Sequence, residues 1–342
     1  MSNGKLVDFA SKWNRKSKTP VVFDPNNIIL QPGSISLDIP ALDTILGGGI
    51  PRGRTTVLIG EPSSGKTLLS QLIIAASQRN GGNAIFFDAE HTFDPKWFSL
   101  TGVDTSAERL AVVRPRSLEQ AFDMIVDALS TVKPDVLVLD SIPSLVPAVQ
   151  MKADMEKQDF RGVHPRKITE GVAKATQYND STALVFINQL RTAMNVTFGN
   201  PESMPGGRGL RHHASLIIRV RRGKWLTSAP DVAEEGMEAF TSLEEDKDAE
   251  RIGFMLKLRT DKSKIAAPWQ SCEIKFYFTG KVDPLGSLIH LAIMRGVIQS
   301  AQGYYELPGI ERKVHGFSAV EELLRVDDGV KNELVRLVKE AV

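Results

Sequence analysis

The octet Gly60-Glu61-Pro62-Ser63-Ser64-Gly65-Lys66-Thr67 sets a lysine and a hydroxyl directly after the second of two glycines, between the apolar residues 56–59 and the helical pattern 68–73. A loop of this kind, between a strand and a helix N-terminus, turns backbone N–H groups toward phosphate oxygens. Lys66 then meets the β/γ oxygens and Thr67 offers its hydroxyl to magnesium. Background residue frequencies produce such an octet in roughly one chain of this length in a hundred, and the strand-loop-helix setting disfavours the alternative of a glycine-rich turn without a ligand.

Ligands of an open α/β sheet lie at the carboxyl ends of its strands. Three more apolar runs end in polar residues: Asp88-Ala89-Glu90, Asp140-Ser141 and Asn188-Gln189. Asp140 suits a magnesium-side carboxylate, Glu90 a group that orients or activates water against a γ-phosphate, and Gln189 a sensor of that phosphate. Singly, each reads equally well as a solvated strand end. Together, on one edge beside Lys66, they describe ATP hydrolysis.

Residues 191–213, RTAMNVTFGNPESMPGGRGLRHH, far exceed the roughly four to six residues that usually join elements. Arg191, Arg208 and Arg211 can neutralise phosphates, Gly206 and Gly207 permit close backbone approach, and Met194 or Phe198 can wedge between bases. A connection without a ligand is the competing reading. Because the segment begins just after Gln189, nucleotide turnover is placed to order or release it.

The elements that must hold these residues can be read from the pattern. The runs at 56–59, 84–87, 136–139 and 184–187 are continuously apolar, as expected of parallel strands covered on both faces. Between them, Ser117-Leu118-Glu119-Gln120 reads as a capping box before Phe122, Ile125, Val126 and Leu129 at helical spacing. Strand and helix in alternation give a doubly wound α/β sheet, which 216–220, 254–258 and 272–278 would extend. Asp283-Pro284-Leu285-Gly286 breaks the pattern and introduces a small α+β domain, mainly helical, with Ser318-Ala319-Val320-Glu321 as a second capping box. The organisation expected is an N-terminal segment at 1–36 that must dock on its own body or a neighbour, a core at 37–282 and a C-terminal domain at 283–342.

Composition narrows the function classes. The net charge is +1, with 42 Lys+Arg against 41 Asp+Glu, so nucleic-acid binding must rest on local clusters. One cluster runs through Arg208, Arg211, His212, His213, Arg219, Arg221, Arg222 and Lys224, followed by the mostly acidic 231–250. Solvated surface is the plainer reading of both. The lone cysteine, Cys272, excludes an internal disulfide and reads as core, and His91, His164, His290 and His315 show no metal-ligand spacing. No apolar run reaches membrane-spanning length and the start has no secretory stretch, so the cytoplasm is expected.

The stretches Phe186-Ile-Asn-Gln-Leu-Arg191, Val196-Thr-Phe-Gly-Asn-Pro-Glu202 to Gly206-Gly207, Asp88-Ala-Glu-His-Thr-Phe-Asp-Pro95 and Lys264-Ile-Ala-Ala-Pro268 resemble the bacterial RecA recombinase family. The likeness runs from about residue 32 into the C-terminal domain. It implies a RecA-type P-loop ATPase core and a helical filament on single-stranded DNA, with ATP between neighbours, catalysing pairing and strand exchange with double-stranded DNA. By this resemblance Glu90 is the catalytic glutamate, Asp94 and Trp97 contact adenine, and the 189–207 segment binds DNA with Phe198 inserting. Arg166 falls on a DNA contact in a first loop at 155–166, and Lys262 and Lys264, with Arg211 beside them, reach the neighbour's ATP. On sequence alone, Lys262 and Lys264 share one side of an extended segment and could be two solvated lysines.

Departures from the family pattern are specific. Glu61-Pro62 stands where the family has Pro-Glu, Trp97 where it has Tyr, and His212 where it has an interface Phe. The first loop carries Lys152, Lys157, Arg161 and Lys167 in an unfamiliar pattern, the acidic 232–250 is an insertion, and the family's acidic C-terminal tail is missing. The last two features suggest a divergent, phage-encoded member. Two other readings use the same core: a ring-forming helicase, and an ATP-switched assembly protein without DNA chemistry.

Overall fold

The computed structural model describes residues 3–17, 20–23, 32–151, 162–192, 202–228 and 250–341. They divide into two units, 1–33 and 34–342. In the first, the helix Asn3–Lys16 leaves Leu6, Val7, Phe9 and Trp13 exposed. Asn14 closes the turn behind it by donating to the Val22 carbonyl and accepting from the Val21 and Val22 N–H groups, all at 2.8 Å.

The second unit is built on eight strands: β1 (Arg54–Gly60), β2 (Ala84–Asp88), β3 (Leu110–Val113), β4 (Val136–Asp140), β5 (Ala183–Gln189), β6 (Leu216–Thr227), β7 (Arg251–Ser263) and β8 (Ser271–Tyr277). Their order is β8-β7-β6-β1-β5-β4-β2-β3. The six from β6 to β3 are parallel, and β7 and β8 add antiparallel. The continuous apolar runs are explained by two cores. On one face Leu58, Val136, Val138, Val185 and Ile187 pack with the Lys66–Arg79 helix, while on the other Val57, Leu137, Leu139, Leu184 and Phe186 pack with helices Leu118–Thr131 and Val163–Gln177. Successive side chains therefore serve opposite cores, and neither face tolerates a polar alternation.

The Ser117 cap forms: its hydroxyl accepts from Gln120 N at 3.2 Å, and the Gln120 side chain reaches back to Arg116 N at 2.7 Å. The expected box at Ser318 does not. That helix, Phe317–Val326, is capped two residues earlier, at Gly316, which has no capping side chain and a φ of 89°. The Asp283-Pro284 break is itself a helix start. Asp283 accepts from Gly286 N at 2.8 Å and Pro284 opens the helix Pro284–Met294, a missing N–H costing nothing in the first turn. The C-terminal helices share a core with β8 through Leu288, Leu291, Val320 and Leu334. They are joined by a three-stranded antiparallel sheet, Gln299–Ala301, Tyr304–Glu306 and Val314–His315, which completes an α+β arrangement. Cys272 is buried in β8, where burial raises its thiol pKa and keeps the thiol neutral.

Candidate functional site

β1 runs straight into the phosphate loop. Gly60 has no room for a side chain, because a Cβ there would lie 2.2 Å from the Val220 carbonyl oxygen of β6. Gly65, at φ 98°, turns the chain into the helix that begins at Lys66, and its missing Cβ leaves space for Leu256. A cavity of about 350 Å³ opens over the loop, lined by Pro62, Ser63, Ser64, Gly65, Lys66, Thr67, Glu90, Asp140, Gln189 and Phe254. The sequence-derived catalytic and phosphate-loop residues are thus brought together, with Gly60 and Glu61 contributing backbone carbonyls below them.

Lys66 is folded back on that backbone, donating to the carbonyls of Glu61 at 2.6 Å and Gly60 at 3.2 Å, with Ser64 Oγ at 3.5 Å. Burial holds its pKa below the usual lysine value, while the carboxylates of Asp140, Glu90 and Glu61 oppose that shift. Thr67 Oγ1 donates to Asp140 Oδ2 at 2.5 Å. Asp140 is 1% exposed, and burial pushes it up to about 7, opposed by the Thr67 hydrogen bond and by Lys66 and reinforced by Glu90 and Asp88. A hydroxyl and a buried carboxylate side by side are oxygen donors of the kind magnesium takes, one protein carboxylate with the remaining ligands from phosphate and water. Among the described residues no group of three or more His, Cys, Asp or Glu forms a protein-only metal cage.

Glu90 stands on a turn that Asp88 organises. Fully buried, Asp88 accepts from Thr92 N at 2.8 Å and Phe93 N at 3.3 Å, and Arg114 bonds it through Nε at 3.0 Å. The N–H groups of Ala89 and Glu90 both donate to the Asp140 carbonyl. At the far side of the cavity Gln189 donates to Glu90 Oε1 at 3.2 Å, and Ser141 and Ser144 donate to the same oxygen.

Gln189 ends β5, and the chain beyond it is tied to the cavity floor. Leu190 N donates to the Gly60 carbonyl at 3.1 Å. Asn188, fully buried, accepts from Gln189 N at 2.9 Å and donates to the Pro205 carbonyl at 2.7 Å, so the segment leaves and returns at one point. Arg191 and Thr192 pair antiparallel with Ser203 and Glu202, closing its base. Gly206, at φ 90°, starts the helix Gly207–His213, which lies so close to helix Val163–Gln177 that a Cβ on Gly209 would sit 2.2 Å from Thr169 Oγ1. Met194 and Phe198 lie outside the described residues, as do Lys152, Lys157, Arg161 and most of 155–166 and 232–250. The side chains of Arg191 and Arg208 do as well. Arg166 is exposed on its helix and pairs with Glu170 at 3.0 Å.

Asp94 and Trp97 are not among the cavity's lining. Asp94 caps the helix Pro95–Leu100, accepting from Lys96 N at 2.8 Å and Trp97 N at 3.4 Å, and Trp97 packs edge-on against Phe276. Lys262 Nζ caps the end of helix Gly207–His213, donating to the carbonyls of Arg211 at 2.6 Å and His212 at 3.2 Å. Its pKa is lowered by partial burial and by Lys264 and Arg211 beside it, which marks a local excess of positive charge. Lys264 lies one residue beyond β7.

Several residues escape a sequence reading. Ser141 and Ser144 come after Asp140 without a motif, Arg114 after a short edge strand, and Phe254 is one apolar residue among many until pairing with Phe276 puts it under the phosphate loop. Arg219 and Asp261 form a buried ion pair at 2.8 Å, fixing the strand that carries Lys262. Asp88, Ser141 and Asn188 carry only the general signal of a polar residue at the end of an apolar run.

The model of the RecA N-terminal domain family matches residues 26–283. This chain belongs to the RecA family. It is 34% identical over 300 residues to Protein RecA of Thermus aquaticus, covering 87% of this chain and 80% of that one. Protein RecA of Thermus thermophilus is 36% identical over 288 residues, 83% of this chain and 78% of the relative. That of Aquifex aeolicus is 34% identical over 304 residues, 88% and 81%. The family match covers every cavity residue, β1 through β8 and the segment from Gln189 to Gly207. Among the described residues no helix is long and apolar enough to cross a membrane.

Proposed function

We propose that the protein is an ATP-dependent recombinase that assembles in a helical filament on single-stranded DNA and pairs it with homologous double-stranded DNA, hydrolysing ATP as it does so. The single observation that carries this reading is the juxtaposition of Lys66, Thr67, Asp140 and Glu90 with Gln189, the residue from which the 190–206 segment departs and to which Asn188 ties its return. Lys66 binds phosphate oxygens, Thr67 and Asp140 hold magnesium, and Glu90 takes a proton from the attacking water. Magnesium, when bound, neutralises charge on the phosphates. Gln189 reports the γ-phosphate, and its handover to that phosphate changes the restraint on the segment that grips DNA.

The remaining roles rest on the family resemblance. Arg166, Arg191, Met194, Phe198, Gly206, Gly207 and Arg208 contact DNA, mostly at phosphates, with Phe198 separating bases. Asp94 and Trp97 hold adenine. Lys262, Lys264 and Arg211, already crowded with positive charge, reach a neighbour's ATP, and the exposed apolar side of helix Asn3–Lys16 supports self-association. Negative-stain imaging with single-stranded DNA, with and without a non-hydrolysable ATP analogue, tests the reading. Filaments that lengthen with the analogue support it. Closed rings would indicate a helicase, and no DNA-bound assembly an ATP-switched protein without DNA chemistry.

A further inference from the structure

Among the described residues, the three side-chain hydrogen bonds that reach Glu90 all end on one atom. Ser141 Oγ, Ser144 Oγ at 3.2 Å and Gln189 Nε2 at 3.2 Å donate to Oε1. A carboxylate oxygen offers two lone pairs, so three donors more than fill it and one of them must be shared. Proton bookkeeping places the serines. Ser141 is fully buried and gives its one proton to Glu90, and Ser144, with its Oγ 3.0 Å from that of Ser141, shares its proton between the two acceptors. The backbone N–H of Glu90 is clipped to the Asp140 carbonyl at 3.2 Å, so the carboxylate is braced from below by main chain and from the side by hydroxyls. What the brace presents to Gln189 is a fixed charged acceptor. A γ-phosphate oxygen arriving above Lys66 competes with Oε1 for the same amide.

We propose that Glu90, braced by Ser141 and Ser144, is the anchor that holds Gln189 when no γ-phosphate is present, so that the segment beyond Gln189 is restrained by the residue that also serves hydrolysis. The proposal rests on the reading of Gln189 as the phosphate sensor. Oε1 is the anchoring oxygen, which leaves Oε2 to accept a proton from water. Ser141 and Ser144 are positioning residues. The same carboxylate therefore cannot be repositioned for catalysis without changing what Gln189 is tied to, and this links turnover to the DNA segment through one side chain.

Two substitutions separate the anchor from the charge. Glu90→Gln and Glu90→Ala both remove the negative charge and the base, but only glutamine keeps an acceptor oxygen for the Gln189 amide. Affinity for a fluorescent oligo-dT is measured by anisotropy at fixed salt. Without nucleotide, Glu90→Ala is expected to bind up to about tenfold more tightly than Glu90→Gln, the upper end of what a hydrogen bond between neutral amides is worth. With a non-hydrolysable ATP analogue the two should bind alike, because the amide has already left residue 90. Ser144 is exposed, where substitutions usually cost the fold little: Ser144→Ala should tighten nucleotide-free binding about threefold, and Ser144→Thr, which keeps the hydroxyl, should restore the original value. Equal nucleotide-free affinities for the two Glu90 variants, in a protein whose unmodified form responds to the analogue, overturn the anchor alone. No tightening in Ser144→Ala does the same should Glu90→Ala fail to fold. An unmodified protein that ignores the analogue overturns both the anchor and the functional reading beneath it.

Discussion

Asn188→Ala strikes the point where the cavity and the long segment are joined. The amide is fully buried, it accepts from Gln189 N at 2.9 Å and it donates to the Pro205 carbonyl at 2.7 Å. Truncation leaves one backbone donor and one backbone acceptor without their partners. At about 1–2 kcal/mol each, with water entering the vacated space, the loss is about 2–4 kcal/mol. If the whole of it fell on global stability, the melting temperature would drop by roughly 4–10 °C for a domain of this size. Much of it falls instead on the return of the segment at Pro205, because Leu190 N still holds the Gly60 carbonyl at the exit. Two measurements distinguish these effects. Thermal melting gives the global share, and the ratio of oligo-dT affinities with and without a non-hydrolysable ATP analogue gives the coupling. Asn188→Ala should lower the melting temperature and shrink that ratio by about tenfold or more. A variant with unchanged melting and an unchanged ratio would refute the assignment of Asn188 as the tie between nucleotide and loop.

Lys66→Ala should abolish ATP binding measured by titration with a fluorescent nucleotide analogue, since the ammonium that lines the cavity is lost; unchanged binding would move the phosphate site elsewhere. Phe198→Ala should weaken single-stranded DNA binding and strand exchange by about 1–3 kcal/mol of affinity while leaving nucleotide binding intact, and full activity would remove Phe198 from the DNA contact. The His290 imidazole is pushed down to about 4 by burial, with Lys275 reinforcing and Glu273 and Asp283 opposing the shift. The folded state holds it neutral while the unfolded chain protonates it near 6.5, so its contribution is complete above about 6.5 and is lost as pH falls toward about 4. Melting at pH 7 and pH 5 should show a smaller acid loss in His290→Gln than in the unmodified protein, and equal losses would place the acid sensitivity in other groups.

How much of the molecule is legible in its sequence depends on how local each determinant is. The phosphate loop, the four long parallel strands and the Ser117 cap are set by neighbours in sequence, and their residues announce them. β3 gives no such signal, because its four residues sit at a sheet edge with only Leu110 buried, leaving too few apolar positions for a pattern. The C-terminal strands, of three residues or fewer, carry no period at all. Ser318 matches a capping motif by type and spacing, yet Gly316 starts the helix. At the site, Lys66 and Thr67 are legible through the loop motif, and Glu90, Asp140 and Gln189 because each ends an apolar run on one sheet edge. Ser144, Arg114 and Phe254 are not, and Ser141 shows only as a polar run end without its role, since what selects them is contact across strands that no spacing in one dimension reveals.

On this mechanism the phosphate end of ATP, met by Gln189, controls the grip of the adjoining segment on DNA. Equilibrium binding of oligo-dT at a single fixed salt concentration, without nucleotide, with ADP and with a non-hydrolysable ATP analogue, tests it most directly. Binding should be at least about tenfold tighter with the analogue than with ADP or with none. Equal affinity in all three conditions would contradict it.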